Sequence, residues 1–293
     1  MNATAPRGLF VALALAAVYV VWGSTYLGIL FALDGYPPLL MAGLRFLAAG
    51  AVLFAVLRLR GVPAPTRAQW RTLLVMGICL LLLGNGLVCV AEQDVSSGLA
   101  AVAVASVPLW IGLFSAMRGM RPSRGEWFGL AIGFLGVLWL NAGSSLAATP
   151  RGMIALLIAP IAWAFGSVWS RGRDLPQPFM AAAGQMLAGG AVLLVLALAL
   201  GERIVGVPPL KATAALVYLA AFGSILAFSA YIWLLHNVRP ALAGSYAYVN
   251  PVIAVALGAA FAGERFGMHD LAAMAVILAG VVAISLARGR ARG

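Results

Sequence analysis

The chain is an internal duplication, and each of its two copies carries an odd number of apolar segments. Pro6-Arg7-Gly8 recurs as Pro150-Arg151-Gly152, Gly23-Ser24 as Gly166-Ser167, and Val95 through Pro108 as Val238 through Pro251, at a register of 143 to 144 residues. Toward the end of each copy Glu126 matches Asp270, and Gly136-Val137 matches Gly280-Val281. Each copy holds five apolar segments of membrane-crossing length, so the second must insert upside down relative to the first. Inverted repeats of this kind build a site at their interface near the bilayer midplane, exposed to either side as one half rocks against the other.

A membrane is the solvent that this sequence demands. Of its 293 residues 63% are hydrophobic and only 9% charged, against roughly 45–50% apolar and about 25% charged in soluble domains. Runs of about 17–25 apolar residues span the hydrocarbon layer as helices. Ten such segments are expected, over 8–33, 37–57, 72–92, 95–117, 125–141, 152–170, 178–199, 212–235, 241–262 and 269–287. The expected fold is an all-α integral membrane protein of ten transmembrane helices, arranged as two inverted five-helix repeats (8–141 and 152–287) around a central cavity. The short links Asp34 to Tyr36 and Gln93 to Asp94 make helical hairpins and leave no soluble domain.

The basic residues orient the bundle. Alternate loops collect 14 arginines on one side (Arg7, Arg58, Arg60, Arg67, Arg71, Arg118, Arg121, Arg124, Arg171, Arg173, Arg239, Arg288, Arg290, Arg292) and four basic residues on the other (Arg151, Arg203, Lys211, Arg265). Cytoplasmic loops are the basic ones, which puts both termini in the cytoplasm of a cell-membrane protein. The same bias accounts for the net charge of +11 without nucleic acid, whose recognition needs a folded basic face. Repeat symmetry argues that the first segment is retained rather than cleaved as a signal peptide. Cys79 and Cys89 lie ten residues apart in one segment, about 15 Å of helix rise, and cannot bridge.

Val21-Trp22-Gly23-Ser24-Thr25-Tyr26 in the first segment, and Val95-Ser96-Ser97-Gly98-Leu99-Ala100 leading to Pro108-Leu109 in the fourth, resemble the EamA family of the drug/metabolite transporter superfamily. The resemblance covers residues 8 to 287 and is nearest to YddG-type amino-acid exporters. It implies a ten-helix inverted-repeat bundle around a central cavity and export of amino acids, other small metabolites or drugs. It does not identify the substrate, because one fold hosts many.

Within the membrane, Pro108 and Pro251 are repeat counterparts in the middle of their segments. A mid-helix proline removes one donor and clashes with the carbonyl four residues earlier, here Val104 and Ala247. Such breaks are tolerated only against protein or a wet cavity, so the pair reads as hinges or cavity-lining breaks, with static kinks as the alternative. Pro160 faces Ala17 in the repeat, so the halves cannot bend identically.

Aromatic and polar residues gather on a few segments. Tyr19, Trp70, Trp139, Tyr218 and Trp233 read as interfacial anchors. Trp22, Tyr26, Trp163, Ser167, Trp169, Tyr246, Tyr248, Asn85 and Asn250 are the candidate cavity lining, against helix packing as the competing reading. Aromatic faces hold an apolar group or, through cation–π attraction of ~0.5–2 kcal/mol, an ammonium. Arg45 is the one basic residue deep in a segment, at a cost of ~2.5 kcal/mol or more. It either binds a substrate carboxylate or pairs structurally, for instance with Glu92. No charge cluster suits a nucleotide sugar.

Acidic groups are scarce. Glu126 and Asp270 favour the N-terminal dipoles of their helices, and Glu92 and His236 are the candidate carriers of a coupling proton; facilitated diffusion stays open. Gly129, Gly133 and Gly136 permit close helix contact, read as contact within a monomer, with a homodimer as the alternative. With two His and no metal-ligand spacing, no cofactor, metal site or catalytic constellation is expected. The expected activity is inner-membrane export of small metabolites, with amino acids first and drug-like organic cations exchanged for protons second; an embedded enzyme or a channel ranks below both.

Overall fold

A computed structural model of the chain describes residues 7–95, 100, 103–140, 142, 149–262 and 267–287. All the elements among the described residues are helices. In lipid every backbone group must be satisfied internally, and these Leu-, Ala- and Val-rich stretches satisfy it within helices. Helix α1 (Arg7–Leu33) turns through 34–36, where the Gly35 and Tyr36 amides both donate to Ala32, into α2 (Pro38–Leu59). Helix α3 (Arg67–Ala91) winds in wider π-helical turns over Gly77–Gly86. Next come α4 (Ala103–Met117), α5 (Arg124–Leu140), α6 (Pro150–Trp169) and α7 (Pro178–Ala199). Helix α8 (Leu210–Asn237) carries a second π-helical stretch, Leu219–Phe228. Helix α9 is made of Pro240–Gly244 and Tyr246–Ala262, and α10 spans Met268–Leu286.

Among the described residues, seven helices (α1, α2, α3, α6, α7, α8 and α10) are long and apolar enough to cross a membrane. Helix α4 is shorter, and α5 has 17 residues. The third segment begins at Arg67 rather than at 72, because Thr66 and Gln69 form a capping box that starts the helix earlier. Ser96, Ser97, Gly98 and Leu99 of the fourth-segment motif lie outside the described residues, as do Glu264, Arg265, Arg288, Arg290 and Arg292.

Cross-chain contacts fix which helix ends lie together. At one end the Gln69 amide donates to Asp174, Arg118 donates to the carbonyls of Val168 and Trp169, and Arg239 pairs with Glu126. At the other end the hydroxyls of Tyr36 and Thr213 meet, and the Glu202 carboxylate accepts from the Leu39 and Leu40 amides. Glu202 therefore caps α2 from a distant loop, placing an anion on a helix N-terminus that begins with proline and lacks a capping side chain of its own. Among the described residues, the arginine-bearing stretches 58–71, 118–124, 171–173 and 239 share the first end.

The two most extensive interfaces join repeat counterparts, α2 with α7 and α5 with α10. Both are seams of close backbone approach. A Cβ on Gly190 would lie 2.7 Å from the Leu47 nitrogen, and one on Gly280 would lie 2.6 Å from the Gly133 nitrogen. Gly129, Gly133 and Gly136 thus meet α9 and α10 of the same chain, through Ile284, Tyr248 and Ile277.

The prolines differ from one another in setting. Pro108 sits in the first turn of the Val107–Met117 stretch, after a turn at Ser106, where a missing N–H costs no helical bond. Pro251 and Pro160 lie inside continuous helix, and the interruption of α9 falls earlier, at Ser245.

Candidate functional site

Helices α1, α2, α3, α4, α6, α8 and α9 surround a central cavity with about 670 Å³ of space free of protein atoms, its mouth included. Helix α1 contributes Trp22, Thr25, Tyr26 and Ile29, spaced by three and four residues and so on one face. Helix α9 contributes Tyr246 and Asn250, again four apart; Arg45 and Phe46 come from α2, and Ala159, Pro160 and Trp163 from α6. The two π-helical stretches supply Gly84, Asn85, Gly223 and Phe228. π-Turns inside α-helices are frequent at functional sites, and here both occur on the cavity wall.

The aromatic side is a box of edge-on and tilted rings. Trp22 lies 5.5 Å from Trp163 at 80° and 4.7 Å from Tyr246 at 75°, and Tyr231 stands 5.2 to 5.4 Å from all three. Each polar tip of the two indoles is tied back: Trp22 Nε1 donates to the Gly223 carbonyl at 3.1 Å, and Trp163 Nε1 to the Tyr231 hydroxyl at 3.0 Å. Ser167 shares a hydrogen bond of 2.7 Å with that hydroxyl and bonds the Trp163 carbonyl. Tethered in this way, the rings keep fixed faces toward the cavity, which suits apolar or cationic groups.

The polar side is incompletely satisfied. Arg45 is 3% exposed and donates from Nε to Ser224 at 2.8 Å, yet its Nη1 has no partner. Asn250, equally buried, adjoins the Tyr26 hydroxyl while its Oδ1 has no donor. Buried polar atoms are nearly always paired, so an unmet donor and an unmet acceptor on two residues lining one cavity set it apart. Arg45 and Glu92 sense each other's charge without closing into an ion pair; one Glu92 oxygen is buried and unpartnered beyond the Val88 turn of α3.

Of the residues singled out in the sequence, Trp22, Tyr26, Arg45, Asn85, Trp163, Tyr246, Asn250 and Pro160 converge on this cavity. Ser167 stands behind the aromatic box. Tyr248 does not line the cavity: it lies against Gly133 and donates to the Leu130 carbonyl at 2.8 Å. Trp169 stacks under Arg173 at the arginine-rich end, 3.6 Å from the guanidinium carbon to the ring centre. His236 lies at the same end, its Nδ1 on the Ile232 carbonyl, in a separate vestibule. Pro108 and Pro251 are off the wall, although Val104 and Val107 beside Pro108 are on it. Thr25 and Phe228 on the wall, and Ser224 and Tyr231 supporting it, are not among the residues singled out in the sequence. Ser224 and Tyr231 are legible as polar residues of the eighth segment, while Phe228 carries no signal apart from its neighbours.

The sequence pattern of the EamA-like transporter family matches residues 8–142 and 150–286. The chain belongs to that family. This EamA-like transporter is similar to the inner membrane transporter YedA of Escherichia coli, with 47% identity over 276 residues covering 94% of this chain and 90% of YedA. It is also similar to the transporter YvbV of Bacillus subtilis, at 25% identity over 282 residues covering 94% and 91%. A solved crystal structure aligns with a TM-score of 0.80 at 23% identity, covering 97% of this chain and 99% of the other, which shows a shared fold.

Proposed function

We propose that this EamA-like transporter exports small zwitterionic metabolites, amino acids foremost, by alternating access across the inner membrane. The observation that supports the reading most is the pair of open polar atoms on one cavity. Arg45 Nη1 offers a donor and a positive charge to a carboxylate, while Asn250 Oδ1 accepts from an ammonium. A side chain then rests in the aromatic box. In this reading all ten helices cross the bilayer as two inverted five-helix repeats, the arginine-rich end and both termini lie in the cytoplasm, and the transporter works as a monomer.

A second reading is favoured by the aromatic box itself. Ring faces from Trp22, Trp163 and Tyr246 attract organic cations, and Glu92, with one buried oxygen unpartnered, is the candidate to exchange a proton for them. Counterflow in proteoliposomes separates the two. Zwitterionic amino acids exchanging without a pH gradient support the first reading. Flux of organic cations alone, driven by the gradient, overturns it in favour of the second.

A further inference from the structure

At the arginine-rich end lies a second concavity, separate from the central cavity, with about 2330 Å³ of space outside protein atoms including its open mouth. Residues from α4, α5, α8, α9 and α10 and from the loops after α4 and α6 surround it. Its chemistry is one-sided. Glu126 is the one carboxylate among the described lining residues, and it is already committed: it closes the α5 capping box with Ser123 and pairs with Arg239 at 2.7 Å. Arg171 and Arg121 line the same space with no carboxylate to answer them.

Two of the donors are held ready. Arg171 is anchored by a hydrogen bond from Nη2 to the Val238 carbonyl, an arrangement that leaves its buried Nε without a partner. Ser115 on α4 is 1% exposed, and its hydroxyl has no partner either. Helical serines ordinarily bond a carbonyl in the preceding turn; this one does not. Unmet donors on different elements beside uncompensated guanidinium charge call for a ligand made of acceptor oxygens. Met120 and Leu286, 37% and 72% exposed, supply apolar surface on the same lining.

We propose that this vestibule is a phosphate-binding site, held by Arg121, Arg171 and Ser115 and occupied by the headgroup of an anionic phospholipid or by a soluble phosphate. Basic pockets between helix ends on the cytoplasmic side attract anionic headgroups, and the apolar rim accommodates the start of an acyl chain. The site is independent of the transported substrate.

The test is native mass spectrometry of the intact transporter from nanodiscs of phosphatidylglycerol or phosphatidylcholine, paired with thermal melting in detergent with and without inorganic phosphate. Preferential retention of phosphatidylglycerol, displaced by phosphate and weakened about fivefold by Arg121→Gln, supports the site with lipid as the source. A phosphate-induced rise in melting temperature, lost in Arg121→Gln without any lipid preference, supports it with a soluble source. Arg121 is exposed, so its replacement leaves the fold intact. Ser115→Ala should weaken binding independently, while the central-cavity variant Asn250→Ala should bind as the wild type does. No lipid preference together with no phosphate effect, or vestibule variants that bind like the wild type, overturns the proposal.

Discussion

Arg45 and Asn250 face one cavity with opposite needs: the first has a donor without an acceptor, the second an acceptor without a donor. Each is already held through another atom, Arg45 by Nε on Ser224 and Asn250 beside the Tyr26 hydroxyl. A molecule carrying both complements settles the two at once.

The first prediction follows from that pair. Arg45→Gln and Asn250→Ala should each raise the half-saturating substrate concentration in counterflow by about 10- to 100-fold, the worth of a hydrogen bond to a charged group. Loss of affinity for carboxylate-bearing substrates alone in Arg45→Gln identifies its partner. Equal affinity for amino acids and their amides in the wild type would sink the assignment.

Trp163 and Tyr248 should part company under mutation. Trp163→Ala removes a cavity wall and should abolish or severely weaken transport at normal membrane abundance. Tyr248→Phe loses only the bond to the Leu130 carbonyl, and should lower stability by about 1 kcal/mol with substrate affinity unchanged. Melting curves and counterflow on the same preparations check both.

The α5–α10 seam has no room for a methyl group. Gly280→Ala puts a carbon 2.6 Å from the Gly133 nitrogen, and overpacking against backbone costs about 1–3 kcal/mol. The melting temperature in detergent should fall. Gly61→Ala, in a turn where nothing lies within 4 Å but φ is +79°, tests backbone strain rather than packing and should be the milder change.

Orientation is checked with single cysteines. In a background with Cys79 and Cys89 replaced, a cysteine at Arg60 should react with an impermeant maleimide only from the cytoplasmic side, and one at Arg203 only from outside. The reverse pattern inverts the assigned topology.

Much of the site was readable from helical phase. Trp22, Thr25, Tyr26 and Ile29 share a face, as do Tyr246 and Asn250, because residues three or four apart align at 3.6 residues per turn. Tyr248, two residues from each of the latter, points about 200° away, toward the α5 glycines, so residue type alone mistakes it for lining. Arg45 was legible because a guanidinium in lipid must face the interior. Phase reasoning loses its footing at Asn85 and Phe228, since the π-helical turns around them change the period. Glu202 was legible only as a loop residue; its role as a cap for α2 depends on two loops that meet in space, 163 residues apart in sequence from Leu39.

The pairing of α2 with α7 and of α5 with α10 bears on how the molecule is made. As the ribosome delivers the first half to the bilayer, the backbone grooves at Gly43, Gly50, Gly129 and Gly133 have no mates, because their mates have yet to be synthesised. Two clasps therefore close only after the second half arrives, and α5 waits for α10. Neither half is a finished building block: severed between 142 and 149, each fragment would display to lipid or to the quality-control machinery the grooves that the other was shaped to fill.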